Sequence, residues 1–158
     1  MKKLFYLVAV AFAAIFGLSS CLTDDDTTEI VGEWSVSRFN YESYVIPPEG
    51  GYYKNIEYTT QRVYETGQRL FRFFSDGTGS DTGYVAEKEE ESIFNEPPAT
   101  FTWKLQGDIL TINAPGKLYD NIKFEVQRKN KSLNLQYSDE ANGAKSGVNC
   151  LISMKLVD

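Results

Sequence analysis

Histidine is absent from all 158 residues. That removes Ser-His-Asp and Cys-His nucleophile systems, His-ligated zinc and the usual general base at neutral pH. Cysteine is scarce, with only Cys21 and Cys150. Positive charge is also short: sixteen Lys/Arg against twenty-two Asp/Glu give a formal charge of −6. A nucleic-acid binder needs a basic stripe, so no nucleic-acid partner is expected. No apolar run is long enough to span a bilayer as a helix, because Leu4–Phe16 holds thirteen residues against the about 20 required. Helical periodicity is missing after that run. Carboxylates are plentiful, but no two fall in an expected cleft with a reason for a raised pKa, as a glycosidase pair would need. Asp76-Gly77-Thr78-Gly79-Ser80-Asp81 offers oxygen ligands without the twelve-residue frame and closing Glu of an EF-hand. No catalytic residue, no metal site and no cofactor are therefore expected. The length suits one domain.

What is present begins with an address. Lys2 and Lys3 precede the apolar run, and Gly17-Leu18-Ser19-Ser20 lead into Cys21. A charged start, a short apolar stretch and small residues at its end read as a secretory signal over residues 1–20. Leu18-Ser19-Ser20-Cys21 also resembles the bacterial lipobox, which implies cleavage before Cys21 and lipidation of its sulfur. Several acyl chains, each gaining ~0.8 kcal/mol per buried CH₂, hold such an anchor permanently in a membrane. Residues 21–29 then form the lipidated cysteine and a polar tether. Asp24-Asp25-Asp26 resembles the surface-export signal of Bacteroidetes lipoproteins. The outer membrane, facing outward, is the expected location, with a periplasm-facing orientation as the alternative. Loss of Lys2 and Lys3 with the leader leaves fourteen basic side chains against twenty-two acidic ones.

With Cys21 committed to lipid, Cys150 has no partner for an internal disulfide. Val148, Cys150, Ile152 and Met154 alternate onto one face. A thiol on a buried face behaves as a small hydrophobe, and core filling is its expected role.

Residues 30–158 read as a meander of short strands, apolar and polar alternating with period two between Gly, Asn, Asp and Pro turns. Trp34 and Val36 alternate over about Ile30–Phe39, and Phe71 and Phe73 over Gln68–Phe74. Asp76-Gly77 is a hairpin signal, because glycine takes positive φ without steric cost. Phe101, Trp103 and Leu105 follow, then Leu110 and Ile112, then Ile122, Phe124 and Val126. Leu133, Leu135 and Tyr137 lead to the last apolar face, ending at Leu156. About eight antiparallel strands predict an up-and-down barrel, with a β-sandwich as the alternative. Closure is favoured because it removes exposed edges. Inward positions include Trp34, Phe71, Phe73, Phe101, Trp103, Leu110, Phe124, Leu135 and Met154.

Gly32-Glu33-Trp34 is similar to the Gly-x-Trp signature of the lipocalin superfamily. Phe73-Phe74-Ser75-Asp76-Gly77-Thr78-Gly79, Phe101-Thr102-Trp103, Leu105–Ile112 and Leu133-Asn134-Leu135, in that order, resemble the bacterial lipocalin-like lipoprotein family. The resemblance implies an eight-stranded barrel whose Trp34 plugs the closed end beneath an arginine, with Arg128 as the counterpart. It also implies a small hydrophobic ligand, which would meet Trp34, Phe71, Phe73, Phe101, Trp103 and Tyr137. An eight-stranded barrel is only just wide enough for its side chains to fill, or to hold one small ligand. A filled interior is therefore the competing expectation.

Six tyrosines crowd the segment Tyr41–Tyr64, around Pro47-Pro48-Glu49-Gly50-Gly51. The segment reads as an insertion between the first two strands. Its rings, Tyr52 and Tyr53 among them, either cap the barrel mouth or present a contact surface for glycan or protein. Arg62, Arg69 and Arg72 nearby pair with an anionic group or with Glu57 and Glu65. The functional alternatives are an anchored carrier for a small apolar ligand, a surface glycan- or protein-binding module, and a structural subunit of an envelope complex. A monomer is expected.

Overall fold

A computed structural model describes residues 30–47, 54–86, 95–140 and 145–158. The leader, Cys21, the tether, Tyr52 and Tyr53 lie outside the described residues. Nine strands follow one another: β1 (Gly32–Val45), β2 (Asn55–Val63), β3 (Leu70–Phe73), β4 (Thr78–Asp81), β5 (Ala99–Gln106), β6 (Ile109–Asn113), β7 (Lys123–Lys129), β8 (Ser132–Ser138) and β9 (Ser146–Leu156). All pairings are antiparallel. From β3 to β9 each strand lies beside the next, and β9 returns to β1. That closure makes an eight-stranded barrel from β1 and β3–β9, with β2 as an extra strand, and decides against a sandwich.

The extra strand exists because β1 is fourteen residues long. One edge of it serves two partners in succession: Gly32–Ser35 pair with β3, and Arg38–Val45 pair with β2. Against β9 the register slips between Val36 and Arg38. The chain joining β2 to β3 fills this irregularity. Tyr64 donates its backbone N–H to the Ser37 carbonyl at 3.1 Å, and Val36 donates to the Arg69 carbonyl at 2.9 Å.

This corrects the sequence reading of the first strand. The expected first strand stops near Phe39, whereas β1 runs on to Val45, and most of the Tyr41–Tyr64 insertion is a β1–β2 hairpin.

The two ends of the barrel differ. Tight turns at Phe74–Gly77, Gly107–Asp108 and Asn130–Lys131 sit at one end, together with the start of β1 and the end of β9. Gly77 takes φ +82 in the first of these, and Asp76 Oδ1 accepts from the Thr78 N–H at 2.9 Å. The ends of β1, β4, β6 and β8, from which the longer connections leave, lie at the other end, the mouth.

Side chains fill the barrel. Trp34, Phe71, Phe124, Leu110 and Leu135 have no exposed surface, and Phe73, Phe101, Trp103, Met154, Ile152 and Cys150 are buried with them. Ring pairs Phe71–Phe101 at 5.8 Å, Phe73–Phe101 at 5.4 Å and Phe73–Trp103 at 5.7 Å link β3 to β5 across the interior. Each such side chain contributes about 1.5–3 kcal/mol on burial. At the tight-turn end Trp34 donates Nε1–H to the Ile30 carbonyl at 2.8 Å. The Arg128 guanidinium lies 5.9 Å from its ring.

Candidate functional site

The mouth is built on a buried ionic cluster. Arg69 and Asp81 have no exposed side-chain surface, and Arg69 grips Asp81 through two hydrogen bonds, Nε–Oδ1 at 3.1 Å and Nη2–Oδ2 at 2.7 Å. Nη1 reaches the Tyr64 hydroxyl at 2.9 Å and Glu96 Oε2 at 2.7 Å. Asp81 also accepts from the Tyr119 hydroxyl at 2.8 Å and the Gly83 N–H at 2.8 Å. The guanidinium packs between the rings of Phe39 and Phe71, at 5.1 and 5.4 Å. Burial alone would depress the basicity of Arg69, but the bonds and charge of Asp81 outweigh it and the group stays cationic. Burial, then the Asp81 charge, lifts Tyr119 well above the ordinary phenol range. Among the described residues no buried side-chain N or O lacks a partner. The cluster is a finished buttress.

Its outer members open onto a cleft. Phe39, Glu96 and Tyr119 pass from the cluster into the wall of a cleft of about 620 Å³. Tyr58, Thr60 and Arg62 of β2 form one side of it, Pro97 and Pro98 another, and Lys117 and Leu118 the rim. Register explains the β2 contribution: Thr60 pairs with Tyr41 and Arg62 with Phe39, so the even-numbered residues of β2 face inward with them. Gly83, at φ +69, lets the chain turn so that Tyr84 and Glu96 exchange backbone hydrogen bonds at 2.8 Å. A Cβ there would overlap the Glu96–Pro98 backbone. Lys117 donates to the Pro97 carbonyl and ties the 115–119 turn to the same segment. Arg62 lies 3.6 Å from Glu96 and 5.9 Å from the Tyr84 ring centre.

The residues singled out from sequence separate into three groups. Trp34, Phe71, Phe73, Phe101 and Trp103 come together in the packed interior, away from the cleft. Tyr137 is half-buried near the mouth, opposite Cys150 on β9. Tyr52 and Tyr53 lie outside the described residues. Of the other tyrosines, Tyr44 and Tyr64 are buried, Tyr41 leans on Tyr58 with ring centres 6.0 Å apart, and Tyr58 stays half exposed. The arginines find partners other than Glu57 and Glu65. Arg69 holds Asp81 and Glu96, Arg72 bonds Glu33, and Arg62 approaches Glu96. Tyr119 and Leu118 were not singled out in sequence, and Asn95-Glu96-Pro97-Pro98 reads there as a solvated loop, with an acidic docking site as the alternative. They belong to turn-rich connections without period, and only the closed barrel brings them to one place.

Cys150 faces the core opposite Tyr41. Burial pushes its thiol up to about 12, with the Arg69 charge opposing. At pH 8 its thiolate is on the order of a thousandfold scarcer than that of a free cysteine with a pKa near 8.5. Labelling by a disulfide reagent is expected to be slower by that factor until urea unfolds the chain. The fold keeps both this thiol and the Tyr119 phenol neutral. That stability is full below their ordinary pKa values and is lost as pH rises toward the raised ones. The urea midpoint is therefore expected to be lower at pH 10.5 than at pH 8.

No protein-family model, curated protein or solved structure matches this chain.

Proposed function

We propose that the chain is a non-catalytic, outer-membrane-anchored, lipocalin-like lipoprotein that faces outward and binds a small, largely apolar molecule at the barrel mouth. The observation that carries this reading is the cleft of about 620 Å³. Its size falls in the ~300–1,000 Å³ range of small-molecule sites. Its wall sets Tyr58, Leu118, two prolines and the buried Phe39 and Tyr119 beside Thr60, Arg62, Asn95, Glu96, Thr100 and Lys117, polar side chains that can orient a ligand. The barrel interior is already occupied by aromatic side chains, so the ligand sits above them rather than among them. Arg128 over Trp34 supports the lipocalin-like assignment, and Leu18–Cys21 supports the anchor.

Native mass spectrometry of residues 22–158, secreted into a bacterial periplasm, tests the reading. A bound small molecule of defined mass is expected, and Tyr58→Ala with Leu118→Ala is expected to lose it. Both side chains are partly exposed, so the fold tolerates the change. A bare protein mass, together with no gain in melting temperature across a lipid panel, would refute the proposal.

A further inference from the structure

The outer wall of a closed barrel is convex, yet a groove of about 300 Å³ crosses β2, β1, β9 and β8 near the mouth. Strand register fixes its floor. Gln61, Asn40, Leu151 and Gln136 stand side by side in one cross-strand row. Thr59, Glu42, Asn149 and Ser138 make the adjacent row. Their sequence neighbours Phe39, Cys150, Ile152 and Leu135 are buried, so both rows point outward. Strand spacing near 4.8 Å and a two-residue step along each strand make the floor roughly 14 Å by 7 Å.

Its chemistry departs from an ordinary solvated sheet face. Asparagine is disfavoured in strands, yet Asn40 and Asn149 both lie within β1 and β9 on this floor. Among the described residues the side-chain amides of Asn40, Gln61 and Gln136 have no hydrogen-bond partner in the protein. Glu42 is bonded by Lys54 at 2.6 Å and faces Asn149 Nδ2 at 3.3 Å. Lys54 also bonds Glu140 at 2.8 Å, and Glu140 accepts from Asn149 Nδ2 at 3.1 Å, so two carboxylates share one cation here. An incoming anion therefore meets no cation free of a carboxylate, and Leu151 is the one aliphatic side chain of the two rows. An amide donates and accepts at once. A hydroxyl does the same, and a surface of several amides matches a ligand carrying many hydroxyls and no charge.

We propose that this groove is a binding site for a neutral oligosaccharide. It shares no lining residue with the mouth cleft. The two sites occupy opposite faces of one strand: Tyr58, Thr60 and Arg62 of β2 face the cleft, while Thr59 and Gln61 face the groove. The proposal stands whether or not the mouth takes a ligand.

Calorimetric titration of the full chain in detergent tests it, with neutral tetrasaccharides of glucose, galactose, mannose and N-acetylglucosamine as probes and sulfated glucose tetrasaccharide as the charged control. At least one neutral probe is expected to bind at least about tenfold more tightly than the sulfated one. Gln61→Ala with Gln136→Ala, both exposed positions, is expected to weaken that binding by at least about tenfold, a difference of ~1.4 kcal/mol. Three results would each overturn the proposal: no heat with any neutral probe, equal binding of the sulfated control, or unchanged binding by the double variant.

Discussion

Arg69→Met is expected to destabilise the protein by about 3–5 kcal/mol, the usual cost of removing one partner of a buried ion pair. Methionine occupies much of the same volume and can lie between Phe39 and Phe71. The loss comes from Asp81, whose side chain has no exposed surface and would be left with only Tyr119 and Gly83 as donors. Glu96 would lose its 2.7 Å partner as well, freeing one wall of the mouth. With a urea slope of about 1–3 kcal/mol per M for a protein of this size, the denaturation midpoint should fall by roughly 2 M. Arg69→Lys should fall between parent and methionine variant, since an ammonium cannot reproduce the two-pronged grip on Asp81. A loss under about 1 kcal/mol would mean that water reaches Asp81 when the guanidinium is gone, contrary to a sealed cluster.

Trp34→Ala is expected to cost about as much, in the 3–5 kcal/mol range of large aromatic truncations in cores. Three contributions add up at this side chain. Its rings have no exposed surface, the Ile30 carbonyl loses its 2.8 Å donor, and Arg128 loses the face it covers. Trp34→Phe should recover most of the packing but not the hydrogen bond, leaving a loss of about 1–3 kcal/mol. The alanine variant should also gain a dry apolar void able to hold benzene or xenon. Benzene uptake by the parent protein at the same position would contradict a filled interior.

These two positions also mark how far the sequence could be read. Trp34, Phe71, Phe73, Phe101 and Trp103 were legible as inward-facing because each alternates with a polar neighbour in a strand bounded by turn residues. All of them are buried. Period two failed where the inward side chains are themselves polar. On β2 the inward set is Tyr58, Thr60 and Arg62, which carries no apolar signal, so the hairpin looked like an insertion. The buried cluster was hidden for another reason. Arg69 meets Asp81 twelve residues away and Glu96 twenty-seven away, and only barrel closure brings the three together. A charged residue in sequence reads as solvent-facing by default. The positive φ of Gly83, which steers the Glu96 segment over the mouth, likewise follows from the fold and not from its neighbours in the chain.

Barrel closure also constrains timing. The seam between β1 and β9 joins the first described strand to the last, with Ser37 Oγ bonded to the Ser153 carbonyl across 116 positions of chain. No earlier strand can substitute, because β1 has already given its other edge to β3 and β2. Contacts this remote place the protein among the slow β folders, with closure taking about milliseconds to seconds. A nascent chain emerging amino end first therefore holds one edge of β1 open until its final eleven-residue strand arrives. For that interval β1 presents a long unpaired edge to other chains. Truncations within β9 should accordingly yield aggregates rather than a smaller barrel.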